Sequence, residues 1–306
     1  MRAIPFEREY YGSLRYERDP AGGYRLRPGQ RLPHVTINQW GYRGRPWRGT
    51  ERVLLLGDSV TFGVGATSDE ARFSRYLELS TGEPVADASV RAYRVFQHYR
   101  QMPLLMERLP RLERVVVWFG YADLLFWVIS GGRVEGTFRL EERRGPLQLL
   151  RRAAAAGKKL FRVGSAASST GKAGLEDLTD HMVIFLAAMR DLLAVRQISM
   201  LLLIQPFLRK EPVAPHLKAR LHLHDRKIRQ RFGRGWVDLS EAFVRLLTEG
   251  LERGRFDHWI DCQPLVCESD FLDEVHLREA SMERMAGVLA KDQILSPQGG
   301  QVWVGR

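Results

Sequence analysis

Residues 52–65 have the sequence RVLLLGDSVTFGVG, in which a run of apolar residues is followed by Gly-Asp-Ser and further glycines. A short apolar run that ends at a glycine indicates a fully buried strand leading into a tight turn and a helix. In open α/β sheets the chemistry lies at the carboxyl ends of the strands, which is where this pattern places Ser59. Because serine is also a common helix N-cap, Ser59 taken alone is equally well explained as a cap.

The rest of the chain continues this alternation of strands and helices. Apolar runs predict strands at 52–57, 85–89, 114–119, 198–204 and 236–239. Helices are predicted at 69–81, 93–109, 176–196, 213–231, 241–252 and 278–291. Strands that are continuously apolar, rather than alternating, imply a parallel sheet covered on both faces. With right-handed crossovers, five such strands predict an α/β fold, a flavodoxin-like three-layer α/β/α sandwich.

Both ends of the chain differ in composition from this core. Residues 1–50 are rich in Gly, Pro, Arg and aromatic residues, which predicts an irregular extension with a short strand at 34–37. The density of Tyr and Trp favours packing of this extension on the main domain, residues 51–292. Residues 293–306 are expected to form a C-terminal tail.

A third atypical segment, residues 130–175, predicts an insertion. It combines Gly, Arg, Lys and Ala and ends in a Ser/Ala/Gly-rich stretch, which indicates an amphipathic helix at 146–162 followed by a flexible linker. Such a helix fits a lid-like segment that caps a pocket or touches a membrane surface. A solvated helix packed against the body is the alternative.

Composition excludes several classes of protein. The chain has 306 residues, of which 44% are hydrophobic and 27% charged, so a globular fold is expected. The formal net charge of +11 would suit a nucleic-acid partner, but the sequence contains no nucleic-acid-binding motif. We therefore do not expect the protein to bind nucleic acid. No signal-like apolar segment opens the chain and no run of about eighteen apolar residues occurs, so a cytoplasmic protein without a transmembrane segment is expected.

Metal binding is not expected either. Cys262 and Cys267 are the only cysteines, which is too few for a zinc site, and either a disulfide or two free thiols fits their spacing. His222 and His224 would share a face on a strand, but they lie in a predicted helix, where their side chains diverge by about 200°.

A base for Ser59 would have to come from another part of the chain. A serine hydroxyl is a weak nucleophile until a base accepts its proton, and that base must itself be oriented. The segment Asp273-Glu274-Val275-His276 precedes the last predicted helix. An aspartate three residues before a histidine can fold back so that its carboxylate accepts the imidazole N–H. One short segment can therefore supply both the base and its orienting partner.

These two motifs together resemble the SGNH/GDSL hydrolase family, over about residues 50–292. INQWGYRG at 37–44 also resembles a segment that precedes the first strand in some bacterial members. The resemblance implies a flavodoxin-like fold and the cleavage of esters, with acyl transfer in some members. It makes Ser59 the nucleophile, His276 the general base and then acid, and Asp273 the partner of His276.

Two positions depart from the family pattern, and both concern the oxyanion hole. The second family block, Asn-x-Gly-x-x-Gly, matches residues 87–92, so Ser89 stands at the glycine whose N–H is a donor. The third block, Gly-x-Asn-Asp, matches residues 120–123, so Ala122 replaces the asparagine whose side chain is the other donor. Losing one such donor typically costs roughly 10²–10³ in kcat. Ser59 and Ser89 are therefore the expected oxyanion donors, and the candidate pocket residues are Asp58, Tyr93, Tyr121, Ala122 and Asp123.

The sequence thus predicts a serine ester hydrolase (EC 3.1.1) that cleaves a carboxylic O-acyl ester through an acyl-serine intermediate, without a metal or organic cofactor. The expected substrate is a small-molecule or carrier-bound acyl ester, and the positive charge favours an anionic one. Peripheral contact with a membrane is a weaker alternative. An O-acyltransferase that uses the same three residues, and a degenerate member that only binds a ligand or partner, are the other two hypotheses.

Overall fold

The computed structural model describes residues 11–132, 134 and 171–291. The described strands are β1 (Tyr16–Asp19), β2 (Gly23–Leu26), β3 (Arg31–Leu32), β4 (Val35–Thr36), β5 (Val53–Leu56), β6 (Val85–Asp87), β7 (Arg114–Phe119), β8 (Ser199–Ile204) and β9 (Trp259–Asp261). The described α-helices are α1 (Phe73–Thr81), α2 (Val95–Arg108), α3 (Tyr121–Ser130), α4 (Gly171–Ala194), α5 (Pro215–Phe232), α6 (Trp236–Arg253) and α7 (Glu279–Lys291).

The central sheet is parallel and has the strand order β6-β5-β7-β8-β9. This is the flavodoxin-like order, in which the chain first moves to one edge of the sheet and then crosses to the other. Every residue of β5 and β6 is buried, as expected for strands that helices cover on both faces. The predicted three-layer α/β/α fold is confirmed.

The helices pack in two groups around the sheet. Helix α1 packs against α7, and α4 packs against both α2 and α6. Because β5 and β7 lie in the middle of the sheet, their carboxyl ends open between the two layers of helices. None of the helices in the described part of the chain combines the length and the apolar character needed to cross a membrane.

The fifth strand of the sheet lies outside its predicted position. Residues 236–239, predicted as a strand, begin helix α6, and the fifth strand is β9, which pairs with β8. The apolar residues of α6 recur at helical spacing, since Trp236, Leu239, Phe243 and Leu247 are all buried. Ser240, which precedes the helix predicted at 241–252, lies inside α6 and donates its hydroxyl to the Val237 carbonyl at 2.9 Å.

Two further helices differ from the prediction. Helix α1 begins at Phe73 rather than at 69, because Asp69 and Arg72 form tertiary hydrogen bonds in a segment of turns and bends. Helix α3 follows β7 directly and was not predicted. Most of the predicted insertion at 130–175, including the helix at 146–162, lies outside the described residues, as does the predicted tail.

The N-terminal segment contains more regular structure than the single predicted strand. β1 pairs with β2 and β3 pairs with β4, both antiparallel. Leu14, Leu26, Val35 and Ile37 form a buried cluster with Phe62 and Val64, which follow Ser59 in the chain. The N-terminal segment therefore packs on the loop that carries the candidate nucleophile.

Candidate active site

Ser59 lies in a tight turn at the carboxyl end of β5. The Asp58 side chain accepts the Val60 N–H at 2.9 Å, and the Asp58 carbonyl accepts the Phe62 N–H at 3.0 Å. These bonds define the nucleophile loop, residues 57–66. Gly63 and Gly65 adopt positive φ angles of 87° and 95°, which glycine tolerates and other residues rarely do. The Ser59 side chain is partly exposed at the sheet edge.

His276 lies in a second loop, the acid–base loop of residues 271–277. The loop is closed by a bridge between Phe271 and Leu277 and by the Leu272 N–H, which donates to the His276 carbonyl at 2.7 Å. Inside it, Asp273 Oδ1 accepts the N–H groups of Val275 at 3.0 Å and His276 at 2.8 Å. The short spacing between Asp273 and His276 thus folds back on itself, as the sequence indicates.

The structure brings Ser59, His276 and Asp273 into one hydrogen-bonded row. Ser59 Oγ lies 3.0 Å from His276 Nε2, and His276 Nδ1 lies 2.7 Å from Asp273 Oδ2. Burial alone would raise the pKa of Asp273, but the charge of His276 and hydrogen bonds from His276 and Val275 hold it below its usual range. An ionised Asp273 can accept the Nδ1–H and leave Nε2 free to accept a proton from Ser59.

Two contacts hold the loops together although their sequences lie more than 200 residues apart. A Cβ on Gly65 would lie 2.6 Å from the Leu272 side chain, so the absence of a side chain at Gly65 lets the acid–base loop approach. The Thr67 N–H donates to the Glu279 carboxylate at 2.5 Å, which ties the nucleophile loop to the start of α7.

The oxyanion side of the site is less complete. No acceptor for the Ser59 N–H occurs among the residues that the structure covers, so this donor is available. The Ser89 N–H instead donates to Asp87 Oδ1 at 2.9 Å. Ser89 can contribute to an oxyanion hole only if that bond is shared or released, and its role stays a prediction.

Alanine stands at two positions of the matching family blocks, Ala122 and Ala92. Ala122 is buried in the first turn of α3, and its methyl group offers no donor. Ala92 stands at the second glycine of the matching block and has a φ angle of 64°, in the left-handed region. An alanine there carries a conformational cost of roughly 1–2 kcal/mol that glycine avoids.

The two tyrosines among the pocket candidates are used for packing. The Tyr93 hydroxyl donates to the Tyr24 carbonyl of β2 and accepts from Gln101 Nε2 at 3.0 Å. Tyr93 therefore fastens the N-terminal segment to α2. The Tyr121 ring packs edge-on against Phe207 and Trp236, with centroid distances of 5.6 Å and 5.9 Å.

Two buried carboxyl groups flank the site: Asp58 in the nucleophile loop and Asp123 in helix α3. Burial raises the pKa of Asp58 from 3.8 to about 6, against the Val60 N–H and the charge of His276, which lower it. Burial likewise raises the pKa of Asp123 to about 7, although the Arg94 charge and the Val95 N–H lower it. An ionised Asp58 further raises the pKa of Asp123, because two negative charges repel each other.

The pattern-based prediction missed two buried arginines near the site, Arg43 and Arg72. Arg43 belongs to the segment at 37–44, which was singled out by resemblance but received no role. Asn38 shapes this segment, because its side-chain oxygen accepts the N–H groups of Trp40 at 2.9 Å and Tyr42 at 3.1 Å. The glycines on either side of Arg43, Gly41 and Gly44, were the available sequence signal, and both adopt positive φ angles in the structure. Sequence alone does not show which group the Arg43 side chain would reach.

Within the described ranges, no cluster of three or more His, Cys, Asp or Glu side chains is arranged to hold a metal ion. His222 and His224 lie in helix α5, as predicted. Cys262 is buried and Cys267 is exposed, and both are free thiols.

No protein-family model and no curated protein matches the chain. Among solved structures it is similar to a GDSL-like lipase from Bacteroides thetaiotaomicron, with 13% identity over 81% of this chain and 90% of that one and a TM-score of 0.43. It is also similar to a psychrotrophic esterase from Pseudoalteromonas, with 12% identity, 80% and 99% coverage and a TM-score of 0.43. An acetyl xylan esterase aligns with 14% identity, 81% and 99% coverage and a TM-score of 0.43. Similarity at this level does not assign an activity to the chain.

Proposed function

We propose that this protein is a serine ester hydrolase of the SGNH/GDSL type, acting on a carboxylic ester through an acyl-serine intermediate. The observation that carries the proposal is the row from Ser59 through His276 to Asp273, with hydrogen-bond distances of 3.0 Å and 2.7 Å. A nucleophile in contact with a base, and a base oriented by a third group, is the arrangement that serine catalysis requires.

The first half of the reaction forms the acyl-enzyme. His276 Nε2 accepts the proton of Ser59 as Oγ attacks the carbonyl carbon, and the carbonyl oxygen becomes an oxyanion. When the tetrahedral intermediate collapses, the ester C–O bond breaks and His276 gives its proton to the departing alcohol. Asp273 keeps the imidazole oriented and stabilises its transient positive charge.

The second half releases the acid. Water attacks the acyl carbon while His276 accepts its proton, and the proton then returns to Ser59 Oγ as the enzyme is regenerated. The Ser59 N–H is the oxyanion donor that is free in this structure, and Ser89 joins it if its N–H turns from Asp87. No step in this sequence requires a metal or an organic cofactor.

The substrate is proposed as a small-molecule or carrier-bound acyl ester. The net charge of +11 favours an anionic substrate or carrier, because a positive surface raises the local concentration of anions. A cytoplasmic location remains an expectation from the sequence.

A fluorophosphonate probe tests the proposal, since it reacts with an activated serine and phosphonylates it. We expect the probe to label the wild type and not the Ser59→Ala variant. Ser199→Ala is the matched control, because Ser199 lies at the amino end of β8, on the opposite edge of the sheet, and should leave labelling unchanged. A well-folded wild type that is not labelled would contradict the proposal and favour a ligand-binding protein.

Acyl transfer uses the same three residues and is separated from hydrolysis by the fate of the acyl group. We expect a chromogenic acyl ester to yield mainly free acid in water. Transfer of the acyl group mainly to an added alcohol or sugar, even when that acceptor is at low concentration, would instead identify an acyltransferase.

A further inference from the structure

Arg43 reaches from the N-terminal segment into the nucleophile loop. Its side chain is 1% exposed and forms an ion pair with Asp69, with Nε 2.7 Å from Oδ1. Its remaining N–H groups donate to four backbone carbonyls: Phe62 at 3.1 Å and Gly63 at 2.8 Å in the nucleophile loop, His34 at 3.0 Å in the N-terminal segment, and Ser68 at 3.2 Å just after the loop.

These contacts account for a full charge in the interior. A buried charge is stabilised only when its hydrogen bonds are satisfied and a counter-charge is close. The planar guanidinium of Arg43 meets an acceptor with each N–H group that it carries. A lysine at this position would keep the charge but could not bridge so many fixed acceptors, because its donors converge on one nitrogen.

Arg72 provides a parallel connection to the oxyanion side. Its Nη1 donates to Asp87 Oδ2 at 2.6 Å, and its Nε donates to the Asp69 carbonyl at 3.0 Å. The other carboxylate oxygen of Asp87 accepts the Ser89 N–H at 2.9 Å. The Arg72–Asp87 pair therefore sets the orientation of the Ser89 turn.

Both arginines touch the same residue of the nucleophile loop. Gly63 has a φ angle of 87°, and a Cβ built there would lie 2.7 Å from Arg72 Cγ and 3.1 Å from Arg43 Nη1. Gly63 thus lies between the two side chains with no space for a larger residue. Asp69 also contacts both arginines: its carboxylate accepts a hydrogen bond from Arg43, and its backbone carbonyl accepts one from Arg72.

We propose that Arg43 and Arg72 form an arginine clamp, a pair of positioning residues that holds the nucleophile loop and the Ser89 turn in the geometry needed for acyl transfer to Ser59. The inference rests on the proposed hydrolase function. It makes the N-terminal segment part of the catalytic architecture, because Arg43 acts from a segment that precedes the first strand of the sheet.

Arg43→Lys tests the clamp. Because small displacements of a nucleophile are costly, we expect kcat and the rate of fluorophosphonate labelling to fall about 100-fold. KM should change by no more than about twofold, since the loss concerns the transition state rather than substrate binding. Arg45→Lys is the matched control, because Arg45 is two residues away, 45% exposed and paired with Glu78, and it should behave as wild type.

A second readout separates positioning from simple loss of stability. A polar cavity of about 30 Å³ is lined by both arginines, which gives added guanidinium ion a route to the vacated site in an Arg43→Ala variant. We expect guanidinium at low concentration to restore part of the labelling rate of Arg43→Ala and to leave Arg45→Ala unchanged. Asp69→Asn, which retains both arginines, should reduce kcat in the same direction if the larger changes prevent folding.

Hydrogen exchange judges the clamp independently of activity. In Arg43→Lys, the N–H groups of Phe62, Gly63 and Val64 should exchange faster, while those of β8 keep the wild-type rate. If the fluorophosphonate probe does not label the wild type, the hydrolase proposal is overturned. The comparison of exchange rates still tests the clamp in that case, because it does not depend on activity. Wild-type exchange in the nucleophile loop of a folded Arg43→Lys variant would overturn the clamp, as would an unchanged kcat in that variant when the wild type reacts with the probe.

Discussion

The two halves of the candidate site differ in how completely they are built. The proton-transfer half, formed by Ser59, His276 and Asp273, has short hydrogen bonds along its whole length. In the oxyanion half, the Ser59 N–H has no acceptor among the described residues, while the Ser89 N–H is engaged by Asp87 and the side chain of Ala122 carries no donor. A site built this way can activate its serine well but stabilises the resulting negative charge poorly, so we expect a slow hydrolase.

Breaking the proton-transfer half should have the largest effect. Asp273→Asn would keep the shape of the acid–base loop but remove the charge that orients His276, so kcat/KM should fall by about 10⁴-fold. The hydrogen bonds that the residue 273 side chain accepts from backbone N–H groups can persist in the variant. The midpoint temperature of thermal unfolding therefore serves as the folding control. Activity within about tenfold of wild type would show that this half does not work as a serine–histidine–aspartate unit.

Repairing the oxyanion half should have an intermediate effect in the opposite direction. Ala122→Asn introduces the amide that the family pattern has at this position, and one added donor should raise kcat by about 10²-fold. Ala122→Asp is the matched control, because its side chain has the same shape but accepts rather than donates when ionised. A folded Ala122→Asn variant with no gain would mean that a group other than the missing amide limits the reaction.

The buried carboxyls Asp58 and Asp123, which lie beside the two halves of the site, should give the smallest effect. That effect is measured as a dependence of protein stability on pH. The pKa values of Asp58 and Asp123 rise from 3.8 to about 6 and about 7 in the folded protein. At these two groups the folded state binds more protons than the unfolded state above pH 4, so their contribution to stability falls as pH rises from about 4 to 7 and levels off above that. The buried His98, whose pKa burial lowers from 6.5 to about 3, contributes in the opposite direction, so substitution is needed to isolate the two carboxyls.

Denaturation at several pH values measures this dependence. Each variant removes one titrating group and with it that group's loss of stability. Compared with the wild type, Asp58→Asn should lose less stability between about pH 4 and 6, and Asp123→Asn should lose less between about pH 4 and 7. An Asp58→Asn or Asp123→Asn variant whose stability depends on pH in the same way as that of the wild type would contradict the assignment of that carboxyl.

Local patterns were sufficient for most of the fold. The first four strands of the sheet lie where the apolar runs predict them, since a strand buried on both faces leaves a continuous apolar signal. The fifth strand was misplaced, because β9 has only three residues and the stronger apolar run at 236–239 belongs to the buried face of α6. Helical periodicity overrides a short apolar run once the longer segment can bury one face.

The candidate site was predictable where its chemistry is local and unpredictable where it is not. The fold-back of Asp273 onto His276 spans three residues, so its spacing alone indicates the contact. The engagement of the Ser89 N–H by Asp87 is also local, but it depends on Arg72, which no spacing relates to residue 87.

The sequence by itself determined the identity of the reactive groups and the strand–helix alternation that carries them, because side-chain chemistry and hydrophobic periodicity are properties of short segments. Only the tertiary structure decided which donors are free and which are engaged, and that Arg43 crosses from the N-terminal segment to the carbonyls behind Ser59. The physical reason is that a buried polar group takes its partner from whatever the fold brings within about 3 Å, and that choice depends on the whole chain.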